Sequence, residues 1–308
     1  MRREKVWFVS GGSRCAAWHY PGSNGGCVVM AAGGAITKEP GTDRFAARFQ
    51  DAGFSVLAFD YRRLGESGGE PRQVVRVGEQ LADWRAAIAH AATLPGVDPA
   101  RIAAWAFSLS AGHVLVLAAR DVRLAAAIMQ SPFVDGAAAT RAEMRHQTPA
   151  AMLRFTGRGV LDAIRGVFGR EPLLIPLAGA PGTVSMLTTP DGREGDRALN
   201  PGNRYPEWRQ VIAARSALRM GFYRPGRNAA RVRCPLLLVV CDDDQSVLAG
   251  PAIQVARKAP GAELVRLPGG HYAPFLAEHD RAVEAELAFL HRHLVTNATN
   301  PTTVAPQV

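Results

Sequence analysis

Ser108 stands in Trp105-Ala106-Phe107-Ser108-Leu109-Ser110-Ala111-Gly112-His113, where a buried-looking apolar run passes without a spacer into small helix-forming residues. A serine on such a strand-to-helix turn lifts its hydroxyl above the sheet edge. The turn is tight, so the residues two before and two after it must be small. Ala106 and Ser110 meet that size rule, although glycine is usual at both places. Ser110 is a rival nucleophile, with Gly112 two residues on, but it would fall half a turn inside the helix. A serine hydroxyl attacks a carbonyl only with a base, and the base needs a carboxylate to orient it. Of the eight histidines, only His271 lies in a glycine-flanked loop after an apolar run, Leu267-Pro268-Gly269-Gly270-His271-Tyr272. His90, His279, His291 and His293 fall on helix faces, His19 on an early strand, His146 in the middle segment, and His113 at a packing position beyond Ser108. For the carboxylate, Val239-Val240-Cys241-Asp242-Asp243-Asp244 sets three acids where a strand leaves its sheet. Asp244, last in the loop, is the preferred partner. Asp242 and Asp243 read as turn residues, and Asp135 is an outside alternative.

These residues need a scaffold that brings three distant loops together. Cys27–Ala31, Ser55–Asp60, Arg101–Phe107, Leu124–Gln130, Pro235–Cys241 and Glu263–Leu267 read as strands, most of them continuous apolar runs typical of strands covered on both faces. Helical stretches at 43–52, 75–93, 109–119, 250–259 and 278–294 alternate with them, which predicts an α/β fold with a doubly wound, mostly parallel sheet. Val6–Ser10 and Cys15–Tyr20 flank Gly11-Gly12-Ser13 as a hairpin. Between Phe133 and Ala230 the alternation stops: helices are expected at 150–168 and 206–220, with Pro- and Gly-rich connections and no buried strand. The expected division is a core of residues 1–132 and 231–295, a helical insertion at 133–230 and a disordered tail at 296–308.

The order Ser108…Asp244…His271 is that of the α/β-hydrolases. With Val28-Val29-Met30-Ala31-Ala32-Gly33-Gly34, Thr37-Lys38 and Phe59-Asp60-Tyr61-Arg62-Arg63-Leu64-Gly65-Glu66-Ser67-Gly68-Gly69, the chain resembles the α/β-hydrolase superfamily nearly end to end. The likeness is to its bacterial branch of serine aminopeptidase, dienelactone hydrolase and X-Pro dipeptidyl-peptidase-like proteins. The resemblance implies a catalytic set of Ser108, Asp244 and His271. It also implies an oxyanion hole from the backbone N–H groups of Gly34 and Leu109, and a cap over the C-terminal strand ends. The departures are Ala32, where many relatives have histidine, and Ala106 and Ser110 in the elbow. The expected activity is cleavage of a carboxylic ester or thioester by a cofactor-free, metal-free acyl-enzyme route. The alternatives are a non-hydrolytic protein on the same fold (a cyclase, acyltransferase or binding protein) or an aminopeptidase. Phe155 and Trp208 are candidate walls for the substrate, within a wider apolar set of Met152, Met186, Leu187, Met220 and Phe222.

Composition bounds the remaining classes. The 308 residues are 47% hydrophobic and 20% charged, values that exclude a disordered chain. No apolar run approaches the ~20 residues that span a bilayer, and the N-terminal apolar stretch is too short for a signal peptide, so a cytoplasmic protein is expected. The four cysteines lack CxxC spacing and read as buried thiols. The net charge of +9 comes from 36 basic and 27 acidic residues, with the arginines dispersed, which argues against nucleic acid as a partner. Residues 133–230 carry 14 arginines against 8 carboxylates. That excess suits an anionic substrate or carrier better than the free amine of a peptide. The expected partner is a small-molecule ester or thioester, with a homodimer left open.

Overall fold

The computed structural model describes residues 2–120 and 123–295. The expected tail at 296–308 lies outside the described residues. The hairpin forms as β1 (Glu4–Ser10) and β2 (Ser13–Tyr20), and Cys15, Ala17 and Tyr20 turn apolar side chains into the core. Then β3 (Cys27–Ala31), α1 (Lys38–Asp51), β4 (Ser55–Phe59), α2 (Val77–Ala91), β5 (Ile102–Phe107), α3 (Leu109–Ala119) and β6 (Ala126–Gln130) alternate. Every residue of β3, β4, β5 and β6 is buried, which is why these strands read as continuous rather than alternating apolar runs. After residues 131–235 the pattern resumes with β9 (Leu236–Cys241), α8 (Ala249–Lys258), β10 (Ala262–Leu267) and α9 (His279–Leu294).

Eight strands form one sheet in the order β1-β2-β4-β3-β5-β6-β9-β10, antiparallel at β1–β2 and β2–β4 and parallel elsewhere. The register decides where chemistry can occur. Phe107 pairs with Gln130, Gln130 with Val239, and Cys241 with Leu267, so β5, β6, β9 and β10 end along one edge. The loops carrying Ser108, Asp244 and His271 all leave from that edge, as does the loop after β3 that carries Gly34. In open parallel sheets this C-terminal edge is where ligands bind.

Residues 131–235 add no strand to that sheet. They hold α4 (Gly136–Met144), α5 (Pro149–Val167), β7 (Leu174–Pro176), α6 (Gly195–Leu199), β8 (Val211–Ala213) and α7 (Ala214–Met220). The side chains of Asp135 and Thr148 accept from the N–H groups of Ala138 and Ala151 and so start α4 and α5. Two sequence expectations are corrected here. The insertion contains a two-stranded antiparallel ribbon, β7–β8, and the helix expected at 206–220 begins only at Ala214. Val211-Ile212-Ala213 pair with Leu174–Pro176 and bury Ile212 completely, so pairing overrides the helical reading of this short apolar run. Helices α5 and α7 meet at Gly159, where Leu218 lies close, and at Asp162, which accepts from the Arg215 N–H at 2.9 Å and pairs with its guanidinium at 3.3 Å.

Candidate active site

Ser108 is the turn between β5 and α3, with φ +57° and ψ −123°, a backbone conformation in which a residue with a side chain is strained. The surroundings hold it there. Ser108 N–H donates to the Gln130 carbonyl at the end of β6 (3.0 Å), and its own carbonyl accepts from Ala111 and Phe133. Gly112 gives α3 its seat: a Cβ there would stand 2.5 Å from the Phe133 carbonyl oxygen. Ala106 is fully buried between Ala31 and Met129 on the neighbouring strands.

Ser110 is not at the site. It is fully buried on the opposite side of the elbow, where its hydroxyl meets the Tyr61 hydroxyl and accepts from the Trp84 indole N–H at 3.1 Å. Tyr61 also accepts from Trp84 at 2.7 Å. The hydroxyl that replaces glycine's hydrogen is therefore bonded, and the departure from the usual motif joins the Asp60–Gly69 loop to the elbow. His113 is likewise structural. It lies between the Gln80 side chain (2.8 Å) and the Tyr223 hydroxyl (2.9 Å), and burial drives its pKa down to about 3.

His271 Nε2 lies 3.0 Å from Ser108 Oγ, and its Nδ1 lies 2.7 Å from Asp244 Oδ2. Asp244 Oδ1 accepts from the N–H groups of Ser246 and Val247 at 3.0 and 2.8 Å, so both carboxylate oxygens are engaged and the side chain cannot rotate freely. Asp242 instead pairs with Arg266 on the surface, Asp243 accepts from Gly269 N–H, and Asp135 caps α4 beside Arg224. Burial alone would depress the pKa of His271. The Asp244 carboxylate, and beyond it Asp191, outweigh burial and raise the imidazole above its usual value.

Sequence reading missed Asp191. This buried residue of the insertion accepts from the N–H of His271 (3.1 Å) and of Gln245 (2.8 Å) through Oδ2, and from the Ser246 hydroxyl (2.9 Å) through Oδ1. Its one signal was Gly270, where a Cβ would stand 2.7 Å from Asp191 Cβ, and a glycine beside the histidine does not say what it makes room for.

The loop after β3 closes on the elbow. A Cβ on Gly33 would lie 2.4 Å from Leu109 N and 3.0 Å from Ser108 Cβ, so only glycine permits this approach. Gly34 follows at φ +63°. The Leu109 N–H, first of α3, has no intrahelical partner by its position. The next residues are anchored from two sides. The Trp208 indole N–H donates to the Ala35 carbonyl at 3.0 Å, and the buried Lys38 ammonium pairs with Asp60 (2.9 Å) and Glu66 (2.7 Å).

Above Ser108 and His271 lies a cavity of about 550 Å³ between the sheet edge and the insertion, a size that suits a small molecule. Phe155 lines it, with Met152, Met186, Leu187, Met220 and Phe222. Trp208 does not. It borders a separate recess of about 40 Å³ that shares Gly34 and Ser108 with the larger cavity. Glu143 is the one acid lining the cavity and Arg141 the one arginine, among the described residues. Glu143 accepts from Thr188 N–H at 2.7 Å. Arg154 and Arg158 instead donate to the carbonyls of Gly182 and Leu174, so the basic excess of the insertion does not converge on the site. Among the described residues, no group of three His, Cys, Asp or Glu side chains is placed to hold a metal, and no helix is long and apolar enough to cross a membrane.

Comparison with known proteins agrees with this architecture. The chain is 36% identical over 292 residues to the quorum-quenching protein AidA of Acinetobacter baumannii, covering 93% of this chain and 94% of that one. It is 32% identical over 185 residues to the thiohydrolase aneE of Aspergillus aculeatus, covering 60% and 55% of the two chains. The crystal structure of the α/β hydrolase GrgF from a Penicillium species superposes with a TM-score of 0.78 at 22% identity, over 96% of this chain and 99% of that one, a likeness of fold. The family model described as the alpha/beta hydrolase family matches residues 28–286, from β3 into the last helix. The chain belongs to the α/β hydrolase family.

Proposed function

We propose that the protein is a serine hydrolase that cleaves a carboxylic ester or thioester through an acyl-enzyme. The observation that carries this reading is His271, whose two ring nitrogens lie within hydrogen-bond distance of Ser108 Oγ and Asp244 Oδ2. In the first step Ser108 Oγ bonds to the carbonyl carbon while its proton passes to His271 Nε2. The imidazolium then gives that proton to the departing alkoxide or thiolate as the carbonyl–leaving-group bond breaks. Water repeats the cycle in reverse and frees the acid and Ser108. Asp244 holds the tautomer in which Nδ1 carries the proton. The N–H groups of Leu109 and Gly34 receive the negative charge that builds on the carbonyl oxygen. The insertion serves as the cap, and its apolar cavity side chains receive a medium-length acyl group.

A single acid in the cavity supports an ester over a free-amine peptide substrate, because a cationic amine needs a cluster of carboxylates to hold it. The relative named a thiohydrolase supports hydrolysis at a sulfur-bearing group, and the choice of acyl group rests on the cavity.

Fluorophosphonate labelling with peptide mapping, paired with turnover of p-nitrophenyl esters of increasing chain length, tests the reading. The label is expected on Ser108, and Ser108→Ala should abolish both labelling and turnover. A folded wild-type protein that takes no label at Ser108 and turns over no ester or thioester defeats it.

A further inference from the structure

Asp191 is a buried carboxylate with three hydrogen bonds, all to the two loops that carry Asp244 and His271. Its Oδ2 is shared by the N–H of Gln245, just after Asp244, and the N–H of His271 itself. Its Oδ1 takes the Ser246 hydroxyl, and Ser246 N–H in turn donates to Asp244. Thr189, two residues earlier, adds a contact to the Ser246 hydroxyl at 2.8 Å. One acid from the insertion therefore ties the loop after β9 to the loop after β10.

The charge needs an explanation as well as the geometry. A buried carboxylate normally has a cationic partner. Among the described residues Asp191 forms no ion pair with arginine or lysine, and all three of its donors are uncharged. The groups facing His271 are the Ser108 hydroxyl, Asp244 from the loop after β9, Asp191 from the insertion, the neutral rings of Phe107 and Tyr272, and the Ser131 hydroxyl that donates to its carbonyl. Positive charge on the imidazole is thus what Asp191 is placed to stabilise. At a pH where the resting imidazole is neutral, that charge develops when Ser108 gives up its proton.

We infer that Asp191 is a positioning residue for the catalytic base: it fixes the His271 loop against the Asp244 loop and stabilises the imidazolium as it forms. Burial works against ionisation of Asp191, yet His271 and its backbone donors hold its pKa below the usual carboxylate value, so the charge is present at neutral pH. The same coupling works in the other direction on His271. The inference rests on the Ser108–His271–Asp244 reading proposed above. It adds that the base is complete only when the insertion is seated on the sheet edge.

Asp191→Asn is the decisive variant. Its amide oxygen can still accept from the two N–H groups, and its amide nitrogen can donate to the Ser246 hydroxyl, so the change removes chiefly the charge. We expect kcat to fall about tenfold or more with KM little changed, and the acidic limb of the kcat/KM profile to move to lower pH by about half a unit. Asp191→Glu should recover part of kcat. Ser246→Ala, which removes the hydroxyl contacts to Asp191 and Thr189 but leaves the charge, should move the limb much less than Asp191→Asn. An Asp191→Asn enzyme that melts like the wild type and keeps both kcat and the position of the limb overturns the inference. If Asp191→Asn fails to fold, the inference stands or falls on Ser246→Ala and Asp191→Glu. A limb displaced by Ser246→Ala as far as by any Asp191 variant would reduce Asp191 to a structural tie. Wild-type turnover that survives Ser108→Ala would instead defeat the underlying triad, a separate outcome.

Discussion

At Ser110 a side chain that breaks a family pattern proves to be satisfied rather than strained. Its hydroxyl sits between Tyr61 and Trp84, on the far side of the elbow from His271. Restoring the usual residue with Ser110→Gly should leave ester turnover within a few-fold of wild type. It should also cost about 1–2 kcal/mol of stability, from the lost hydrogen bond and a glycine in a helix. Thermal or denaturant melts measure that cost, and a collapse of turnover with intact folding would place Ser110 in the chemistry after all. A second consequence at this scale concerns pH. In the proposed mechanism the neutral imidazole is the base, and the two carboxylates raise His271 above its usual value of 6.5. Activity at low substrate should therefore rise with pH through an ionisation displaced above that value, read from the acidic limb of kcat/KM. The stability linkage has the opposite sign: protonated His271 stabilises the fold below pH about 6.5, and that contribution fades as pH climbs through its folded pKa. Ser108 and His271 stood out in the sequence because each lies at the end of an apolar run in a setting its neighbours lack, and Asp244 was set apart from Asp242 and Asp243 only as the last acid of its loop. Asp191 was not, since nothing in Thr188-Thr189-Pro190-Asp191-Gly192 marks which loop its carboxylate meets.

Elements carry these residues only if their exits are held. The loop after β3 is held by Lys38, whose ammonium and backbone N–H both meet Asp60, while the second Asp60 oxygen also accepts from Glu66 N–H. The Thr37-Lys38 and Asp60–Gly69 stretches, so far apart in the sequence, are thus one ion-paired junction between the exits of β3 and β4. Gly65 completes it: at φ +48°, a Cβ there would stand 2.3 Å from Asp60 Oδ2. Lys38→Met leaves Asp60 buried without its cation, a change that costs about 3–5 kcal/mol. Denaturant unfolding should show a lower midpoint of that order, and an unchanged midpoint would mean that Asp60 is neutral in the folded protein. The sheet elements themselves were readable, with strand ends within two residues, because burial on both faces writes β3 to β6 and β9 as unbroken apolar runs. The ribbon of β7 and β8 was not. Each strand has three residues, and Val211-Ile212-Ala213 becomes a strand only through a partner 35 or more positions away.

Across the whole molecule, the same burial that builds the core silences its cysteines. Cys15, Cys27 and Cys241 are pushed up to about 12 and Cys234 to about 11 by desolvation, far from the thiolate range at neutral pH. The native protein should therefore release almost no chromophore from a disulfide thiol reagent, and the denatured chain should titrate four thiols. A fast-reacting thiol in the native state would contradict the packing of β2, β3, β9 or the residues before β9. Fold class at this scale followed from the rhythm of strand and helix, whereas the form of the insertion did not, because its ribbon and the packing of α5 on α7 join segments far apart in the sequence that no local period marks. The hydrogen bond from Trp208 to the Ala35 carbonyl is another such long-range contact. If the insertion is the cap proposed above, exchanging it among relatives is one way to test substrate range. Here Trp208 of the insertion holds the loop of Gly33 and Gly34 through Ala35, so a chimera that imports a foreign insertion also imports a foreign brace. Its failure to turn over would report a misplaced loop rather than a substrate that does not fit, and carrying Trp208 across with the graft would tell the two apart.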